Sequence, residues 1–184
     1  MNVEAMQTES ARLRKDKDKF FRESHHSPIP ESERPGFEGL SYLPYNGELI
    51  FDVGLKELHD QEEVVMAMSV SGEESLYRKA GYFEFEVDGT IHRLHAYRSA
   101  HEHEAGRQTL FIPFRDRTSG KESYGAGRYL DLELTPSGRY ILDFNLAYNP
   151  YCAYSDRYVC PLPPRENWLQ VEIRAGEKDY KGRH

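Results

Sequence analysis

The sequence predicts a mainly β protein: an antiparallel β-sandwich or barrel, preceded by an N-terminal α-helix and an extended packed arm. Three observations carry this reading. Past residue 46 apolar residues recur at every second position, the period of a strand with one buried face. Short turn signals separate these runs, and helical patterning is confined to the first 24 residues. Tyr (13 residues) outnumbers Phe (9), and Tyr suits sheets, where the ring packs on the pleat and the hydroxyl reaches the edge. A chain of 184 residues is the size of one domain and can bury a real core. Its aromatic content argues against general disorder, although 30% of its residues are charged.

The elements follow in order. Residues 10–24 read as a helix that Ser10 can cap, with Leu13, Phe20 and Phe21 falling on one face and Arg, Lys and Asp elsewhere. Residues 25–48 hold four prolines and three glycines, a loop-rich composition, yet keep Ile29, Phe37, Leu40, Tyr42 and Leu43. They read as an arm packed across the body. Strands are expected at 47–54, 62–71, 81–89, 90–98, 108–115, 128–134, 139–148 and 167–176. Asp88-Gly89 suits a two-residue hairpin turn with positive φ. A second hairpin is expected to turn at 136–138. The expected organisation is a helix and arm over 1–46, a β domain over 47–178 that forms one folding unit with the arm, and a flexible tail over 179–184.

Net charge is −7, which favours solubility and opposes non-specific binding to a phosphate backbone. The cluster Arg115, Arg117, Lys121 and Arg128 is diluted by Asp116 and Glu122, so no nucleic-acid partner is expected. No run approaches the roughly 20 apolar residues that span a bilayer, and residues 1–21 lack the apolar segment of a secretory signal. The expected location is the cytoplasm, without a membrane partner; a homo-oligomer is possible. The sequence leaves the cofactor unknown.

Two blocks concentrate polar residues between short apolar runs: LFIPFRDRTSGKESYGAGRYLDLEL (110–134) and LDFNLAYNPYCAYSDRYVCPLPPREN (142–167). In the first, Asp116, Thr118, Ser119 and Gly120 suit a turn closed by side-chain oxygens. That block can be a cradle of backbone N–H groups with Thr118, Tyr124 and Arg128 around an anionic or carbonyl-bearing ligand. It can equally be a bulge or long hairpin whose Arg128 pairs internally with Asp116 or Asp143. It is not a phosphate loop, since the glycine-to-Gly-Lys-Ser/Thr spacing is missing. In the second, Asp143 and Asn145 share one face of an expected strand while Phe144 points to the core. They can anchor a ligand, or Asp143 can be the buried partner of an arginine. Asn167 is expected to satisfy backbone groups near the final strand.

Cys152 and Cys160 stand eight apart, poor spacing for a zinc site, and a reducing cytosol opposes a disulfide. Buried thiols, a disulfide, and metal or redox use all stay open. His95, His101 and His103 offer an alternative metal set, with His101 and His103 on one face if extended.

The stretches KDKFFRESHHSPIP, FEGLSYLPY, LFIPFRDRTSGKESYGAGRYL, LDFNLAYNPYCAY and CPLPPRENWL together resemble a bacterial and archaeal family, domain of unknown function 1684. The resemblance runs from about residue 15 to about 178. It implies a single domain and singles out Asp116, Thr118, Gly120, Tyr124, Arg128, Asp143, Asn145, Tyr148, Asn149, Cys152 and Cys160. It gives none of them a role.

The expected function is binding of a small polar or anionic molecule in a pocket built by 111–128 and 143–152. Arg115 or Arg128 would pair with its charge, and Asp116 and Thr118 would present the loop. Asp143 and Asn145 would orient the ligand, with Tyr124 and Tyr148 as a wall. Arg128→Ala would then remove binding and leave the fold intact. One alternative is a metal-assisted hydrolase using His95, His101 or His103 with Asp116 or Asp143. The other is a structural or protein-interaction module without ligand chemistry.

Overall fold

The structure, a computed structural model, describes residues 2–58, 62–99 and 109–181. Helix α1 (Val3–Glu23) starts earlier than the apolar pattern suggests, because Asn2 caps it by accepting the Ala5 N–H at 3.1 Å. Ser10 is therefore not a cap but a buried mid-helix residue. The inward stripe is Met6, Ser10, Arg14, Lys17 and Phe21, spaced four, four, three and four apart. Leu13 and Phe20, expected inside, are 39% and 38% exposed. Phe21 alone anchors the end of the helix, packing edge-on against Tyr154 at 5.0 Å, with Ile29, Phe37 and Ala153 completing a small second core. The arm is packed as expected: Ile29, Phe37 and Leu43 are buried, and Leu43 donates its N–H to the Gly176 carbonyl.

The β domain is sandwich-like, with two antiparallel sheets and no closed barrel among the described residues. Strands β1 (Ile50–Gly54) and β8 (Arg139–Asp143) form the small sheet. In the large one, β4 (Glu74–Val87), β5 (Thr90–Ser99), β6 (Thr109–Phe114) and β7 (Arg128–Glu133) lie side by side. Strands β2 (Lys56–Glu57) and β3 (Glu63–Ala67) both pair with β4. The core lies between the sheets, where Phe51 meets Phe85 at 5.1 Å, Phe83 meets Tyr140 at 5.4 Å and Phe85 meets Phe144 at 5.3 Å.

Asp88 and Gly89 take φ of 51° and 72°, the turn their residue types demand, and Val87 pairs with Thr90 across it. The turn at 136–138 does not close a hairpin: β7 pairs with β6 and β8 with β1, so this corner carries the chain from one sheet to the other. β4 begins seven residues before the expected strand, because a bulge between Lys79 and Gly81 shifts the phase of its alternation. The strand expected at 139–148 ends at Asp143, which caps a 3-10 turn over Phe144–Leu146.

The strand expected at 167–176 does not form. The segment instead runs beside the end of β6: Arg115 donates to the Asn167 carbonyl at 3.0 Å, and Leu169 and Arg117 continue the pairing at 2.8 and 3.0 Å. Asn167 holds the crossing point. Its carboxamide takes the His95 N–H at 2.8 Å and donates to the His95 and Pro113 carbonyls at 2.9 and 2.8 Å. In the tail expected from residue 179, the Tyr180 ring meets Tyr154 edge-on at 5.1 Å.

Candidate functional site

The polar blocks converge first on Arg128. This arginine is 0% exposed; its Nη atoms donate to the Ala175 carbonyl, to Glu177 at 3.2 Å and to Ile173 at 2.9 Å. Asp116 faces it at 3.4 Å and also accepts the Ile173 N–H at 2.7 Å and the Thr118 hydroxyl at 2.9 Å. Thr118 in turn shares a hydrogen bond with Ser123 at 2.7 Å, and its carbonyl receives the N–H groups of Lys121, Glu122 and Ser123. The loop 116–127 is thus folded on itself. Gly127 lets it close: φ is +108°, and a Cβ there would lie 2.6 Å from the Phe114 carbonyl oxygen. Of the two readings of Arg128, internal pairing with Asp116 is what the structure shows.

The remaining expected site residues are dispersed. Arg115 lies over the Trp168 ring at 4.6 Å. Tyr124 packs on the second core, its hydroxyl 3.8 Å from Cys152 Sγ. Asp143 and Asn145 are joined: the Asp143 carboxylate accepts the Asn145 N–H at 2.8 Å and its Nδ2 at 2.9 Å. Burial nevertheless pushes the Asp143 carboxyl up. Asn145 clamps the arm by pairing with both backbone groups of Asn46, at 2.8 and 2.9 Å. Sequence reasoning missed Glu177, a buried carboxylate that gathers Lys17 of α1, the Asn149 N–H and the Tyr154 hydroxyl. Nothing in its local spacing marks it.

Of the alternative metal set, only His95 is among the described residues. His95 stands 4.0 Å from Glu166, and burial lowers its pKa against the opposing pull of that carboxylate. His101 and His103 lie outside the described residues. Among the described residues no group of three His, Cys, Asp or Glu can hold a metal ion. No helix among them is long and apolar enough to cross a membrane.

The cavity with binding chemistry lies on the outer face of the large sheet, under the segment 148–161. Tyr148 bridges to Tyr129 on the β7 edge, with N–H to carbonyl distances of 2.8 and 3.0 Å. At the other end, Ser69 and Ala67 beside β3 bond to Cys160 and Leu162 at 2.8 Å each. The Tyr129 hydroxyl ties the underside to the Pro161 carbonyl. The segment is therefore a strap, fixed at both sheet edges. Beneath it is a cavity of about 560 Å³ walled by Tyr77, Phe111, Tyr129, Tyr148, Tyr151 and Tyr158, with Asp131 and Cys160 among its polar groups. The rings brace one another: Tyr77 stacks on Phe111 at 5.5 Å, Phe111 meets Tyr129 edge-on at 4.7 Å, and Tyr151 meets Tyr158 at 5.1 Å. Asp131 accepts the Tyr148 hydroxyl. Of the expected ligand-binding residues only Tyr148 lines this cavity.

Cys152 and Cys160 are buried thiols inside the strap, not joined in a disulfide, with the Cys152 N–H directed at Cys160 Sγ at 3.4 Å. Hydrogen bonding from the Cys160 thiol pulls the Cys152 thiol below the ordinary range, while the same pairing and burial hold Cys160 protonated.

Two outcomes follow from this geometry. Arg128→Ala leaves Asp116 buried without its partner and strips the Ala175 and Glu177 carbonyls of their donor. Chemical denaturation should show a loss of about 3–5 kcal/mol, contrary to the intact fold expected from sequence. The ultraviolet absorbance of the reduced protein should report one thiolate appearing with a midpoint below the ordinary thiol value of about 8.5. Cys160→Ala should move that midpoint up toward the ordinary thiol value of about 8.5; an unmoved midpoint would refute the assigned donor.

Comparison with known proteins agrees with the fold and carries no activity. No curated protein matches the chain. An uncharacterized protein of Haloarcula marismortui, solved in solution by NMR, is 40% identical, covers 95% of each chain and superposes with a TM-score of 0.71. The model of the family described as "Protein of unknown function (DUF1684)" matches residues 35–178. The chain belongs to the DUF1684 family.

Proposed function

We propose that the protein binds a small organic molecule with a ring-sized apolar body and a cationic group, in the cavity beneath the strap. The observation that carries this reading is the lining itself. Six aromatic rings surround a space of about 560 Å³, and the one charged side chain among the described lining residues is Asp131. The volume falls within the range of small-molecule sites, about 300–1,000 Å³. Ring faces carry negative quadrupoles and attract cations, most strongly where water is excluded. Asp131 stands at the wall, where it accepts the Tyr148 hydroxyl. Among the described lining residues the anionic ligand expected from sequence finds no counter-charge, because Arg115 and Arg128 are engaged elsewhere. Tyr hydroxyls already committed to Asp131 and to the Pro161 carbonyl hold two of the rings in place before any ligand arrives.

Benzyltrimethylammonium, benzyl alcohol and benzoate test the reading by tyrosine and tryptophan fluorescence titration. The cation should bind best, the alcohol more weakly and benzoate least. Tyr158→Ala should weaken the cation about ten-fold, and Asp131→Asn should erase its advantage over the alcohol. Benzoate binding as tightly as the cation would refute the proposal.

A further inference from the structure

We infer that the cleft between α1 and the 145–147 turn is a second binding site, for a small straight-chain monocarboxylate held by Ser10, Arg14 and Tyr42. The inward face of α1 is polar where a packed helix would carry apolar residues. It borders a cleft of about 310 Å³ whose lining includes these three residues together with Lys17, Leu13 and Leu146. Ser10 is 2% exposed, and its Oγ has no hydrogen-bond partner; Arg14 Nε and Tyr42 Oη, also buried, have none either. Ser10 forgoes even the back-bond to its own helix that a mid-helix serine ordinarily makes. All three atoms can donate, and leaving a buried donor unpaired is costly, so an acceptor such as a carboxylate suits them together. Burial, with the carboxylates of Glu177 and Asp18, pushes the Tyr42 hydroxyl up, so it stays a donor at neutral pH.

The charges fit a single negative charge. Lys17 is paired with Glu177, whose carboxylate also takes the Asn149 N–H and the Tyr154 hydroxyl. Arg14 lies over the Tyr42 ring at 4.3 Å and donates to the Asn145 carbonyl at 3.4 Å; of the two carboxylates near it, Asp143 is occupied by Asn145 and Glu177 by Lys17. The buried Glu177 disfavours a dianion. Leu13 and Leu146, 39% and 43% exposed, give an alkyl chain an apolar surface. This site differs from the strap cavity in charge preference, and among the described residues the two share only Tyr148.

Hexanoate, acetate, hexylammonium and 1-hexanol can be titrated into the full-length protein and followed by amide chemical shifts. Hexanoate should give saturable shifts at residues 10–17 and 145–147, at least about ten-fold tighter than acetate, with no such shifts from hexylammonium. Ser10→Ala and Tyr42→Phe should each weaken hexanoate about ten-fold while the melting temperature holds or rises, because each removes an unpaired buried hydroxyl. Absence of saturable shifts would mean a cleft filled by water alone and would overturn the inference. So would unchanged hexanoate affinity in both variants, equal binding of hexylammonium, or a fall in melting temperature that reveals a structural partner for either hydroxyl.

Discussion

The buried guanidinium of Arg128 is the constraint on which the rest depends. Beyond the pairing of Leu169 and Val171 with Arg115 and Arg117, the chain after Trp168 forms no strand, so buried backbone groups from Ile173 onward draw partners from side chains. Arg128 supplies donors to three carbonyls, and Asp116 both neutralises it and takes the Ile173 N–H. A charge buried this deeply is tolerable only because it is paired and hydrogen-bonded at once. The loop 116–127 must then fold back on itself, since Asp116 has to be presented inward.

Further polar side chains extend the same logic outward. Asn167 and Asn145 each pair with both backbone groups of one remote residue, His95 and Asn46, and so replace a missing strand. Glu177 joins α1, the Asn149 turn and Tyr154. These fixed points determine where the chain leaves the sandwich. Tyr148 departs from the β7 edge, the strap crosses the outer face of the sheet, and Pro161 returns beside Met68. The strap cavity and the α1 cleft are the spaces that this routing leaves, one lined by rings and a carboxylate, the other by donors and a positive charge.

The regular parts of the molecule were legible in the sequence. β5, β6 and β7 fall where alternation places them, and Asp88-Gly89 announced its own turn geometry. Legibility failed where local pattern and tertiary role part company. The bulge at Ala80 hid the first half of β4, and the alternation of 167–176 advertised a strand that Asn167 and Arg128 replace. The inward stripe of α1 is polar, so the apolar spacing pointed to Leu13 and Phe20 instead. The dense polar blocks drew attention correctly, but Arg128, Asp116, Asp143 and Asn145 spend their polarity on irregular backbone. The strap cavity was invisible because its rings come from three strands and the strap, far apart in the chain, and tyrosines spaced as ordinary strand residues carry no local mark of convergence.

Hydrogen exchange at the Ile173 amide tests the central claim most directly. This N–H belongs to no strand and is held by Asp116 Oδ2 at 2.7 Å. If the Arg128–Asp116 pair organises the C-terminal segment, Ile173 should exchange only through global unfolding, as slowly as Leu110 or Leu130 in the core strands. Exchange at the rate of an exposed loop amide would contradict the account.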